Sequence, residues 1–168
     1  MRTILMGLAA AALVTGCSEP AAKKEKPAAA KALLPGDYEL TAKIDQLQST
    51  DNSTPATSGA ALKLGAAVVL PDRVCVTAEG IPPAAFAEAG DTCTLADSYM
   101  SNGRMSLQFK CNRPGRGQLT QTVDGRFTAD SFDTTITTAS YFSASGDYAM
   151  TRTVTGRKVG DCAAGKAG

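Results

Sequence analysis

Four cysteines in the C-terminal part of the chain are the residues whose chemistry is easiest to assign. They are Cys75, Cys93, Cys111 and Cys162. They form no close Cys-x-x-Cys pair, which zinc sites normally use and a thioredoxin-like redox site requires. The chain also has no histidine, so it lacks the commonest zinc ligand and the commonest general base. The spacing therefore predicts two structural disulfides, with no metal, no cofactor and no catalytic residue.

A hairpin selects one of the three ways in which four cysteines can pair. The dipeptide Asn102-Gly103 is a strong turn signal. If residues 101–103 form a three-residue loop, Met100 faces Arg104, and counting outward places Cys93 opposite Cys111. This register predicts a Cys93–Cys111 bridge. The second bridge is then Cys75–Cys162.

A fifth cysteine, Cys17, ends a pattern that resembles a bacterial lipoprotein signal. An uncharged run over 4–13 follows a basic second residue, and small residues at 15–16 precede the cysteine. Such a run is too short to cross a hydrocarbon core, which takes about 20 residues. We therefore expect residues 1–16 to be removed and Cys17 to carry lipid. Ser18, which is not an aspartate, favours the periplasmic face of the outer membrane.

The residues after Cys17 divide into a tether, a domain and a tail. Residues 17–34 are rich in Ala, Lys and Pro, so we expect a flexible tether of about 20–25 Å. Residues 35–162 have the length of one domain, and 163–168 form a tail. With 17 basic and 16 acidic residues, the chain has no basic field that would attract nucleic acid.

The elements that position these residues are predicted to be strands, because apolar and polar residues alternate along most of the domain. Turn signals follow at Asn102-Gly103, Pro114-Gly115, Asp124-Gly125 and Ser145-Gly146, and a bulge near 130–131 would reconcile a change of phase. A short helix is expected over 82–90. The strands are expected over 38–44, 62–70, 74–77, 92–100, 104–111, 117–123, 126–138 and 147–155. The fold class is mainly β, an antiparallel meander forming a curved sheet, small barrel or sandwich.

Three residues are candidates for binding a ligand: Arg152, Asp97 and Tyr99. Arg152 shares its strand face with apolar residues, and a buried arginine must be paired or could bind a carboxylate or phosphate headgroup. The alternative, which we favour, is that Arg152 lies near a sheet rim and reaches solvent. Asp97 and Tyr99 are expected on the same face as Cys93, where Asp97 could pair with Arg152. The basic turn Arg113–Gly117 is expected to be a solvated loop.

Several short motifs resemble one family. The domain opens with Pro35–Leu40, continues with Cys75-Val-Thr and closes with Thr155–Cys162, and Cys93 and Cys111 flank a hairpin. This combination resembles the bacterial domain of unknown function family 3617, a set of exported proteins and lipoproteins. The resemblance covers roughly 35–162 and implies export and a common fold. It implies no activity and no catalytic residue.

These observations favour a protein that binds over one that catalyses. The first hypothesis is a lipid-anchored periplasmic module that holds an apolar or amphipathic envelope ligand on the concave face of its sheet. An alternative is a scaffold for a protein partner, without a small ligand. A further alternative is a carboxylate-based envelope hydrolase, which would need two of a few carboxylates close together in a cleft. Those carboxylates are Glu39, Asp97, Asp130 and Asp133.

Overall fold

The computed structural model describes residues 30–58, 63–65 and 71–163. Its strands are β1 (Gly36–Ser49), β2 (Arg73–Val76), β3 (Thr92–Ser101), β4 (Arg104–Arg113), β5 (Gly117–Phe127), β6 (Ser131–Phe142) and β7 (Tyr148–Gly160). All belong to one antiparallel sheet in the order β2-β1-β7-β6-β5-β4-β3, which curls into a half-barrel. The predicted fold class, an antiparallel curved sheet with two disulfides, is confirmed.

One face of this sheet is apolar because side chains alternate along each long strand. On β4, Met105, Leu107 and Phe109 are buried, whereas Gln108 and Lys110 are exposed. Successive side chains of a strand point to opposite faces, so the buried set lines the concave inner face. The inner faces of β5, β6 and β7 add further buried residues to the same core.

The segment 77–91 covers the inner face, and we call it the cap. β2 and β3 are the two edges of the sheet yet follow each other in the chain, so the cap must cross between the edges. Its Phe86 ring lies 5.7 Å from that of Phe109 and 6.0 Å from that of Phe132. The helix expected over 82–90 is wrong except for one 3₁₀ turn at Pro83–Ala85. The helical turn ends at Ala85, and the next residue, Phe86, is buried in the core.

The β3–β4 hairpin has a two-residue turn where a three-residue loop was expected. Asn102 and Gly103 have φ of 51° and 71°, so Ser101 faces Arg104 and the expected register is wrong by one residue beside the turn. A bulge between Leu95 and Asp97 then restores the expected register. Positive φ at both central residues is the mark of a type I′ turn. Such a turn matches the twist of the flanking strands, which explains why the two-residue turn forms here.

This bulge has two consequences. Cys93 lies opposite Cys111 as predicted, and the bridge between them forms. Beyond the bulge the side chains change faces, because a strand has a period of two residues. Asp97 and Tyr99 therefore pair with outward-facing positions of β4 and are exposed, not on the face of Cys93 as expected.

The expected turn at Asp124-Gly125 is also wrong, because β5 continues to Phe127. The chain turns at Thr128–Ser131, where the Thr128 amide donates to the Ser131 carbonyl at 2.8 Å. The change of phase near 130–131 is therefore caused by this turn and not by the bulge that was expected. Gly125 allows β5 to pack closely against β6, since a Cβ there would overlap the carbonyl oxygen of Asp133 on the neighbouring strand.

Two further expectations concern residues that the structure does not describe or describes only in part. The strand expected over 62–70 lies outside the described residues except for 63–65, where the chain turns. Cys17 and the leader lie outside them as well. Within the described ranges, the chain contains no helix with the length and apolar character needed to cross a membrane.

Candidate functional site

Three buried polar side chains lie side by side at the centre of the inner face, and we call them the inner polar cluster. They are Gln121 on β5, Thr138 on β6 and Arg152 on β7. Gln121 lies directly opposite Thr138, and Arg152 lies opposite Ile136, two residues along from Thr138. The exposed fraction is 1% for Gln121 and 0% for Thr138 and Arg152. The alternation of the three strands thus brings polar groups together where the fold is otherwise apolar.

The hydrogen bonds of this cluster are incomplete within the described part of the chain. Nη2 of Arg152 donates to the carbonyl of Phe86 in the cap. With the Gln121 amide turned to satisfy both of its atoms, its nitrogen donates to the same carbonyl at 3.1 Å and its oxygen accepts from Nη2 at 3.2 Å. Nε and Nη1 of Arg152 and the hydroxyl of Thr138 have no partner there. Three N–H bonds of a buried guanidinium are therefore left without an acceptor.

Among the described residues, Arg152 is electrostatically unfavourable in this arrangement. Burial lowers the pKa of Arg152, and the charge of Glu88 opposes that shift only in part. Burying a charge without adequate partners costs several kcal/mol, of order 3–5 in proteins where one partner has been removed. Guanidinium groups bind carboxylates and phosphates well. An anionic group beside Arg152 would supply the missing acceptors.

A second buried network joins the cap to the sheet, and we call it the latch. It consists of Arg113, Glu88, Asp91 and Tyr148. Arg113 donates to Glu88 at 3.0 Å, and through Nε and Nη2 to Asp91 at 2.7 and 2.8 Å. The Tyr148 hydroxyl donates to Glu88 at 2.8 Å and accepts from Arg113 at 3.2 Å. Because Glu88 and Asp91 belong to the cap, the latch holds the cap onto β4 and β7.

The latch has the pKa shifts of a satisfied buried network. Burial alone would lower the pKa of Arg113, but its hydrogen bond with Asp91 and the charge of Glu88 raise it above the ordinary arginine value. Burial and the Glu88 charge raise the pKa of Tyr148. Arg113 therefore stays charged and Tyr148 stays neutral over the whole range in which proteins function. The latch is a structural fastening, in contrast to the incomplete cluster around Arg152.

The structure corrects two expectations about arginines. Arg152 is inside the half-barrel, so the favoured interpretation of a rim residue that reaches solvent is wrong. Arg113 was expected in a solvated loop, but it is the last inward-facing residue of β4 and is only 8% exposed. Its position in the alternation of Met105 to Cys111 would have indicated burial. Glu88 had a weaker signal, as the single charged residue in 81–90, which is otherwise apolar.

The other two candidate ligand-binding residues are not brought to Arg152. Asp97 and Tyr99 lie on the outer face of β3, and the Tyr99 side chain is 57% exposed. Among the described residues, Asp97 forms no ion pair with Arg152. Tyr99 instead borders a cleft on the outer face with Arg104 and Arg126.

The remaining residues with possible chemistry are the four cysteines of the C-terminal part and a set of carboxylates. Both disulfides are present, Cys75–Cys162 and Cys93–Cys111, so that prediction is confirmed. The described ranges contain no group of three potential metal ligands. The hydrolase alternative gains no support from the placement of its carboxylates, all of which are exposed. They are Glu39, Asp97, Asp130 and Asp133.

The fold and the site define a disulfide-bridged antiparallel half-barrel with a polar cluster inside an apolar core. Residues 33–162 match the family described as a protein of unknown function, DUF3617. The chain belongs to this family, as its motifs predicted. No curated protein and no solved structure matches the chain.

Proposed function

We propose that the chain is a lipid-anchored protein on the periplasmic face of the outer membrane that binds an amphipathic ligand and does not catalyse a reaction. The lipoprotein pattern ending at Cys17 supports the anchor and the location. The inner polar cluster supports the binding role, and it is the observation that carries the proposal. Arg152 offers three N–H bonds without an acceptor in the described structure. The apolar inner face around it suits the apolar part of the same ligand.

Entry of a ligand requires the cap to move. Phe86 packs on the inner face, and its carbonyl accepts from Arg152, as the Gln121 side-chain oxygen does. A ligand carboxylate or phosphate would replace this neutral carbonyl with a charged acceptor, which forms a stronger hydrogen bond. Since the cap is attached to the sheet through the latch and through β2, ligand entry would require its central part around Phe86 to leave while its two ends stay bound.

The test is the replacement of Arg152 by methionine in the full chain. We expect wild-type protein, purified from the envelope without reductant, to carry an extractable anionic lipid or fatty acid that native mass spectrometry detects as bound mass. Arg152→Met should lose this bound mass. The variant should unfold at the same free energy within about 1 kcal/mol or be more stable, because it removes a poorly paired buried charge.

Arg116→Met is the matched control, since Arg116 is exposed in the turn after β4. It should keep both the bound mass and the stability. If Arg152→Met instead unfolds at much lower denaturant concentration, Arg152 is a structural residue and the proposed site is wrong.

A wild-type protein without bound mass would favour the second candidate, a scaffold for a protein partner. One observation supports that candidate. β3 is an edge of the sheet, and Leu95 and Tyr99 on it are 50% and 57% exposed. Edge strands can pair with an extended segment of another chain.

A further inference from the structure

The N-terminal segment 30–34, which was expected to be part of the flexible tether over 17–34, is fixed to one end of the half-barrel. The Gly103 amide donates to the Ala30 carbonyl at 3.0 Å, and the Leu34 amide donates to the Ala129 carbonyl at 2.7 Å. Leu33 is buried, and the Tyr38 hydroxyl donates to the Leu34 carbonyl at 2.9 Å. The chain therefore arrives beside the β3–β4 and β5–β6 turns. We call this part of the surface the turn end.

The position of Cys17 in the sequence limits how far the turn end can lie from the membrane. Only the stretch from Cys17 to Ala30 separates the proposed anchor from the turn end. These roughly thirteen residue steps span at most about 45 Å. A strand such as β6, with 12 residues, is itself about 40 Å long. The opposite end could approach the membrane only if this stretch ran extended along the whole domain.

The chemistry of the turn end suits a lipid headgroup layer. Arg104 and Arg126 lie directly opposite each other across the β4–β5 ladder, an arrangement that is unfavourable without a counter-charge. Neither forms an ion pair within the described residues. Asp133, which lies opposite Arg126, binds Arg157 at 3.5 Å. Two arginines on the same patch of surface are thus available for phosphate groups.

Exposed apolar and aromatic side chains border the same arginines. Leu34 is 51% exposed, and it lines a cleft of about 590 Å³ that includes Arg126. Tyr99 lines the neighbouring cleft of about 540 Å³ with Arg104 and Arg126. Aromatic residues with exposed rings are favoured at the membrane interface. Asp124 and Asp130 also border these clefts, so the contact would be with individual phosphates and not with a uniformly basic surface.

We propose that the turn end lies against the bilayer that holds Cys17, with Arg104 and Arg126 bound to lipid phosphates and Tyr99 and Leu34 in the interface. This inference rests on the lipid anchor of the proposed function. It orients the half-barrel with the β3–β4 and β5–β6 turns toward the membrane and the opposite turns toward the periplasm.

The absence of tryptophan from the chain permits a direct test. Tyr99→Trp and Tyr141→Trp form a matched pair, since Tyr99 and Tyr141 are 57% and 62% exposed and lie at opposite ends of their sheet. The full lipidated chain is reconstituted into vesicles of phosphatidylethanolamine and phosphatidylglycerol that contain brominated acyl chains. We expect the fluorescence of the Tyr99→Trp variant to be quenched at least about twofold more than that of the Tyr141→Trp variant, as for aromatic residues held at the interface.

The arginines are tested in the Tyr99→Trp background. Arg104→Gln with Arg126→Gln should reduce the quenching, whereas Lys110→Gln on the same strand should not. Equal quenching of the two tryptophan variants, or no quenching of either, would overturn the proposed surface. Mass spectrometry of the N-terminal peptide separates this failure from that of the anchor. A chain without acyl groups on Cys17 refutes the anchor, whereas an acylated chain without preferential quenching refutes only the orientation.

Discussion

Replacing Arg113 with methionine is expected to lower the free energy of unfolding by about 3–5 kcal/mol, because it leaves two buried carboxylates without their cation. Glu88 and Asp91 both accept hydrogen bonds from Arg113, and both of their side chains are inaccessible to solvent. The variant removes the partner and keeps the charges buried. Denaturation by urea, followed by circular dichroism, measures the loss.

Two controls make the Arg113 prediction specific. Arg116→Met removes an exposed arginine three residues away and should change the free energy of unfolding by less than about 0.5 kcal/mol. Arg152→Met removes the other buried arginine of the described chain and should cost little or nothing. The two buried arginines thus have opposite expected effects because one is fully paired and the other is not. Equal losses for Arg113→Met and Arg152→Met would show that this distinction is wrong.

The Arg113 variant also tests what the latch holds. The latch joins the carboxylates of the cap to strands β4 and β7. Its loss should therefore increase amide hydrogen exchange first in 77–91, before the central strands exchange. If hydrogen exchange in the cap is unchanged although the protein loses much stability, the latch stabilises the sheet and does not hold the cap.

The hairpin of β3 and β4 shows how far the sequence alone can predict this fold. The disulfide across it was predicted correctly from a wrong register, because the two-residue turn and the bulge at Ala96 displace the pairing in opposite directions. The dipeptide Asn102-Gly103 is a local signal for the turn. The two-residue loop that forms and the three-residue loop that was expected differ by only one residue. The bulge has no comparable signal in the sequence. The faces of Asp97 and Tyr99 depend on the bulge, so they were predicted wrongly.

In both the inner polar cluster and the latch, the alternation of residues reveals the buried strand residues but not their partners. Arg152, Gln121 and Arg113 each follow the inward positions of their strands, so local sequence contains the signal for burial. Their partners come from the cap, which joins the two edges of the sheet. That contact depends on the closure of the half-barrel and on the entry of Phe86 into the core. A pattern with a period of two residues does not contain this information.

Loss of the Cys75–Cys162 disulfide is the other change expected to have a large effect. The bridge spans 87 residues, which include the cap and five strands. By the loop-entropy relation, a bridge of this span stabilises a protein by about 4.5 kcal/mol. Cys75 also lies in β2, a four-residue strand at the edge of the sheet that, in the described part of the chain, pairs only with the start of β1. The bridge fastens this short strand and the beginning of the cap to the C-terminal end of the domain.

The double variant Cys75→Ser with Cys162→Ser should therefore lose about 4.5 kcal/mol, and Cys93→Ser with Cys111→Ser about 3 kcal/mol, since the second bridge spans 18 residues. Urea denaturation of both variants gives the comparison within one protein. Hydrogen exchange should rise in 73–91 in the first variant and along β3 in the second. If removal of Cys93–Cys111 cost more, the stabilisation would come from contacts around that bridge in the native hairpin and not from restriction of the unfolded chain.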